Sequence, residues 1–184
     1  MTPELSDFGA LHAIRVGGIH APKPDNAEEL SERGLIFVTP VGCMLTEHGQ
    51  EQHTQLLERE RAEIDVEAVK ALYERFLSAN QPTKSKCTEW QNLAEDDQDA
   101  RFVIATDLQD ILERVSTTII RTSEHLPRFA SYPPRMEAAL GKVLEGQNEF
   151  LTSPTVESFH NVWMECHEDY LLTLGISREE EGSY

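Results

Sequence analysis

The chain has 184 residues, 39% of them apolar and 27% charged, which is enough apolar material for a buried core and excludes a fully disordered protein. Sixteen basic residues face 33 acidic ones, for a formal net charge of −17. That balance argues against a protein whose main work is gripping phosphate backbones or an anionic membrane surface.

No apolar run approaches the ~20 residues of a membrane span. The first residues carry neither a basic nor an apolar signal region, so no export is expected. Cys43, Cys87 and Cys166 are odd in number and far apart, which predicts reduced thiols in a cytoplasmic protein. There is no Gly-rich phosphate loop of the P-loop or dinucleotide type. If the chain takes part in ATP chemistry, another chain is expected to supply most of the machinery.

In chain order, Leu5, Phe8, Leu11, Ile14 and Val16 predict a helix over residues 5–17, capped by Ser6 or Asp7 and ended by Gly17-Gly18. A loop with Pro22 and Pro24 follows. Asp25 or Asn26 caps a short helix, Ala27 to Arg33. Two β-rich runs, 34–39 and 43–46, flank Pro40-Val41-Gly42 and predict a hairpin. A polar helix then runs to about Ala62. Helix, helix, hairpin, helix is the order of a winged-helix module.

From Ile64 the pattern is helical. The expected helices are 65–80, broken at Gln81-Pro82-Thr83-Lys84, then 101–126, 135–151 and 155–174. The last is capped by Ser153 or Thr155 and closed by Gly175. Residues 92–99 form an acidic loop, and 128–135 a loop holding Tyr132 between two arginines. The fold class is mostly α: a winged-helix-like module with a small β-hairpin (1–62), an α-helical bundle (63–176) and an acidic tail (177–184).

Winged helices commonly read DNA, but the helix in the reading position, 26–33, offers three glutamates and one arginine. Residues 1–62 hold five basic residues against ten acidic ones. A duplex reader needs several phosphate-neutralising cations. The stretch before the hairpin is also short for a full helix-turn-helix. Protein docking is the competing use of the module.

The last helix carries the densest chemistry. Val156, Phe159, Trp163, Cys166, Tyr170 and Leu174 fall on one ~80° stripe, the expected core face. His160 and His167 lie at its edge, one turn either side of Trp163. Two imidazoles beside an indole can line a pocket for a flat aromatic ligand, with tryptophan stacking and histidine taking a hydroxyl proton. The alternative is that both histidines are boundary residues bonded to a carbonyl or carboxylate. Trp90, in Cys87-Thr88-Glu89-Trp90-Gln91, is a second candidate wall of the pocket or an aromatic plug of the bundle. Lys84 and Lys86 are close enough in sequence to lower the Cys87 pKa. Tyr132 in its loop can meet an anionic group. No metal site is expected: His167-Glu168-Asp169-Tyr170-Leu171 lacks the second histidine of H-E-x-x-H, and no C-x-x-C occurs.

Five segments together resemble a family of actinobacterial winged-helix and helical-bundle proteins. They are Leu11-His12-Ala13-Ile14-Arg15-Val16, Leu45-Thr46-Glu47-His48-Gly49 with His53 and Leu56-Leu57, Cys87-Thr88-Glu89-Trp90-Gln91, Phe159-His160-Asn161-Val162-Trp163, and 167–175. Members of that family look like regulators of the MarR-like kind, or like small-subunit or C-terminal partners of pyruvate phosphate dikinase and phosphoenolpyruvate synthase-like enzymes. The nearest resemblance is to the small subunit of two-component aryl phosphate synthases that phosphorylate p-cresol in corynebacteria. The resemblance implies a chain inactive alone and without its own cofactor, whose large partner holds ATP and Mg and carries a phosphohistidine. It also implies a phenolic acceptor, with His160 and His167 as catalytic candidates. Trp163, Trp90, Phe159, Tyr132 and His12 are the candidates for binding it. The competing implication is a MarR-like regulator sensing an aromatic ligand.

Overall fold

A computed structural model describes residues 3–94 and 97–177. It is mostly helical with one antiparallel hairpin. The chain divides into two compact units: residues 1–64 with 168–184, and residues 65–167. The tail beyond Ser177 lies outside the described residues.

The first unit holds α1 (Pro3–Gly17), a 3₁₀ turn (Gly18–His20), α2 (Ala27–Glu32), β1 (Ile36–Thr39), β2 (Gly42–Leu45) and α3 (Glu47–Glu63). The 3₁₀ turn occupies the place where a helix-turn-helix would have its other helix. Leu11 and Ile14 from α1, Leu30 from α2, Ile36 and Cys43 from the hairpin and Leu56 from α3 make its core. The hairpin register pairs Ile36 with Leu45, Phe37 with Met44 and Val38 with Cys43. Period-two alternation therefore turns Ile36 and Cys43 inward and Phe37 and Met44 to solvent. The Thr46 hydroxyl accepts from the Gly49 N–H at 2.9 Å and donates to the Gly34 carbonyl at 2.6 Å, fixing the start of α3 to the hairpin.

α1 begins at Pro3, so Asp7 lies inside the helix rather than capping it. Asp7 is buried and its Oδ2 lies 2.7 Å from Arg33 Nη2. The pairing holds the Arg33 guanidinium above its ordinary pKa.

The second unit is a bundle of α4 (Val66–Gln91), α5 (Gln98–Thr122), α6 (Tyr132–Leu144), the one-turn α7 (Glu149–Thr152) and the first part of α8 (Phe159–Leu174). The expected break at Pro82 does not occur. Phe76, Asn80, Thr83, Cys87 and Trp90 form one buried stripe at spacings of three and four across it. The packing of that stripe outweighs the ~3 kcal/mol cost of an interior proline.

The expected 135–151 helix is two helices, parted at Gly146, whose φ is +90°. The expected loop 128–135 is a 3₁₀ turn (Pro127–Ser131) and the start of α6, where Pro133-Pro134 fit a first turn whose N–H groups have no helical partner. α8 begins four residues later than expected at the earlier cap, because Ser158, not Ser153 or Thr155, receives the Asn161 N–H, at 3.4 Å. Gly175, at φ +69°, closes α8 as expected. No described helix is long and apolar enough to cross a membrane.

Candidate functional site

Two polar clusters stand out, one in each unit. In the second unit, α8 and α4 bring aromatic rings and polar groups together. Trp163 is fully buried, with its ring 4.8 Å from Phe76 and 5.9 Å from Phe159. Its indole N–H donates to Asn80 Oδ1 at 3.0 Å. His167 is also buried, with Nε2 3.2 Å from the Tyr73 hydroxyl and its ring 5.9 Å from Phe76. Phe76 thus lies against both Trp163 and His167. His160 is half-buried, and that burial lowers its pKa, which favours the neutral imidazole.

Other expected site residues lie elsewhere. Trp90 is about 15 Å beyond Asn80 along α4 by helix rise. It is buried, with the Arg101 guanidinium 4.6 Å from its ring centre. Tyr132 is buried against Phe129, edge to face at 5.4 Å, with Arg135 5.8 Å from its ring. Phe159 is fully buried. The Cys87 thiol is pushed up to about 12 by burial, opposite to the lowering expected from Lys84 and Lys86. The thiol is buried and Lys86 is turned to Glu89 and Asp107, at 3.0 and 2.8 Å.

The second cluster gathers three helices of the first unit. Asp169 Oδ1 lies 3.0 Å from His12 Nε2, and His12 Nδ1 lies 3.0 Å from His53 Nε2. The Thr173 hydroxyl donates to the same Asp169 oxygen at 3.3 Å. Phe8 stacks on His53 at 5.9 Å and contacts the His12 ring at 5.2 Å. Arg61 of α3 fixes the end of α8: its Nε and Nη2 donate to the carbonyls of Thr173 and Leu172 at 2.7 and 2.9 Å. Arg15 and Glu168 pair at 3.4 Å on the outside.

The chain Asp169–His12–His53 has a defined proton logic. The carboxylate accepts from His12 Nε2–H. A neutral His12 then accepts at Nδ1 from His53 Nε2–H. An imidazolium His12 instead donates to a His53 whose own proton sits on Nδ1. All three residues are buried, so this hydrogen-bonded chain ties helices together rather than meeting a substrate directly.

His12 was a sequence candidate; His53 and Asp169 were not given a role. The available signal was that Gly49, His53, Leu56 and Leu57 share one buried face of α3. Among the described residues, no group of three or more His, Cys, Asp or Glu is arranged to hold a metal ion. Comparison with known proteins returned no matching family model, no similar curated protein and no similar solved structure.

Proposed function

We propose that this chain is the accessory subunit of an ATP-dependent, dikinase-like phosphotransferase acting on a phenolic hydroxyl such as that of p-cresol, and that its winged unit docks onto the large partner. The observation that carries the docking part is the wing itself. Phe37, Val41 and Met44 are 62, 74 and 57% exposed, and no charged residue occurs between Gly34 and Thr46. Beside it, Glu28, Glu29 and Glu32 of α2 are exposed, while Arg33 is engaged by Asp7 and Glu29 at 2.7 and 3.5 Å. A polyanion would meet carboxylates and apolar side chains there. A protein surface with apolar hollows and basic rims meets its complement.

The phosphotransfer part rests on the family resemblance. In that reading the partner holds ATP and Mg and delivers a phosphoryl group from its histidine. A phenol is a poor nucleophile while protonated, with a pKa near ~10. A neutral imidazole that takes its proton during transfer removes that obstacle. His160 fits that task best, being half-buried, with burial favouring its neutral form. His167 and Trp163 lie buried in the core on the same helix.

A MarR-like regulator is the second reading, favoured by the helix, helix, hairpin, helix order of the first unit. The tests separate the two. The chain mixed with a dikinase-like partner is expected to phosphorylate p-cresol, and neither protein to do so alone. Phe37→Ser with Met44→Ser should abolish co-purification while leaving the fold intact. His160→Gln in the complex should lower turnover by about 10²-fold or more. Tight, selective, salt-sensitive duplex binding by the chain alone would instead establish the regulator.

A further inference from the structure

The second unit has a cleft of about 260 Å³ lined by Arg75, Ser78, Ala79 and Pro82 of α4 and Ile111, Arg114, Val115 and Thr118 of α5. We propose that this cleft binds a small organic oxyanion, with Arg75 and Arg114 on the charged group and Pro82, Ile111 and Val115 against the apolar body. The proposal is independent of the phosphotransfer reading.

The first argument is the state of the two arginines. The chain has 33 acidic side chains for 16 basic ones, so carboxylate partners are in excess. Arg33, Lys86 and Arg135 have each taken two. Among the described residues, Arg75 and Arg114 make no ion pair, although they come from different helices to the same cleft. Glu74 and Glu113 are their chain neighbours, but ~100° of helical rotation separates adjacent side chains, and neither glutamate lines the cleft.

The second argument is the remaining lining. Thr118 adds a hydroxyl from α5, while the Ser78 hydroxyl donates to the Arg75 carbonyl at 2.7 Å and holds that turn of α4. Two guanidiniums, the Thr118 hydroxyl and an apolar strip together suit an amphipathic anion. A bare phosphate would use only half of that set, and an uncharged aromatic only the other half. The net charge of −17 does not oppose this at physiological salt, where the Debye length is about 8 Å.

The test is calorimetric titration of the full chain with phenyl phosphate, benzoate, inorganic phosphate and phenol. Saturable binding of phenyl phosphate or benzoate is expected, at least about tenfold tighter than phenol or inorganic phosphate. The stronger of the two organic anions identifies the headgroup as phosphate or carboxylate. Arg75→Gln and Arg114→Gln should each weaken binding about tenfold, and the double variant should lose it. Both arginines are exposed, so the fold should survive. Should the double variant unfold, the salt dependence of wild-type binding decides: the anion must weaken with salt and phenol must not. No saturable binding of either organic anion, unchanged binding in a folded double variant, or equal binding of phenol overturns the assignment.

Discussion

Asp169 Oδ1 and His12 Nε2 meet at 3.0 Å although 157 positions separate the two residues. The contact joins the first and last described helices within one unit, and both side chains are buried. Removing either partner breaks this contact in the core. His12→Ala removes one hydrogen-bonded partner from the buried Asp169 carboxylate and should destabilise the chain by about 3 kcal/mol. Asp169→Asn keeps an acceptor but loses the charge and should cost less, about 1–2 kcal/mol. The double variant should cost less than the sum, because both substitutions remove the same contact. Urea denaturation of the three variants measures this. Additive losses would show that the pair is not coupled.

Gly49 and Gly9 make a second, paired prediction. A Cβ on Gly49 would lie 1.9 Å from the Leu35 carbonyl oxygen. That oxygen is backbone and already accepts from the Thr46 N–H at 3.0 Å, so it cannot move without disturbing the hairpin. Gly49→Ala should cost at least about 2 kcal/mol. A Cβ on Gly9, inside α1, meets nothing within 4 Å. Gly9→Ala should therefore stabilise by about 0.5–1 kcal/mol, through helix propensity and a less entropic unfolded chain. Thermal denaturation of the two variants should give shifts of opposite sign.

Much of this architecture is readable in the chain. The hairpin is, because β-rich runs bracket Pro40-Val41-Gly42, and so is the periodic helix around Ile104 to Ile119. What is not readable depends on distant partners. Pro82 looks like a stop signal until Thr83, Cys87 and Trp90 are seen to continue the buried stripe of Phe76 and Asn80. Asp7 looks like a cap until Arg33 is found beside it. The aromatic and histidine pattern of α8 is visible, but not that Asn80 and Phe76 fill the space around Trp163. His53 shares a face with leucines, which signals burial, but its partner His12 lies 41 positions away.

Cys87 predicts an alkaline loss of stability. Burial raises its thiol from 9.0 to about 12. Between those values the native chain holds the proton and the unfolded chain has released it. The unfolded state then binds fewer protons, so the free energy of unfolding falls as pH rises. The stabilisation is whole below pH 9 and declines as pH climbs toward 12. Cys87→Ala should flatten that part of the pH–stability curve relative to wild type. It should also cost stability at neutral pH through the small cavity it leaves. Chemical denaturation at stepped alkaline pH checks both. An unchanged slope in the variant would assign the alkaline loss to other groups.

Trp163 and Asn80 carry the last prediction, which concerns the heart of the second unit. The indole N–H has Asn80 Oδ1 at 3.0 Å, and both residues are buried. Asn80→Leu fills similar space with carbon but leaves the indole N–H without that acceptor, at a cost of about 1–3 kcal/mol. Trp163→Phe in that background removes the unsatisfied donor and should recover part of the loss, so the two substitutions should be non-additive. Fluorescence gives an independent reading. Trp163 packs against Phe76 and Phe159, so its emission should be blue-shifted and poorly quenched by acrylamide in the wild type. Comparing wild type with Trp90→Phe isolates that signal. Strong quenching of Trp163 in the folded chain would mean that the Phe76 side of the cluster opens in solution, which is the condition an aromatic ligand would need to reach the ring.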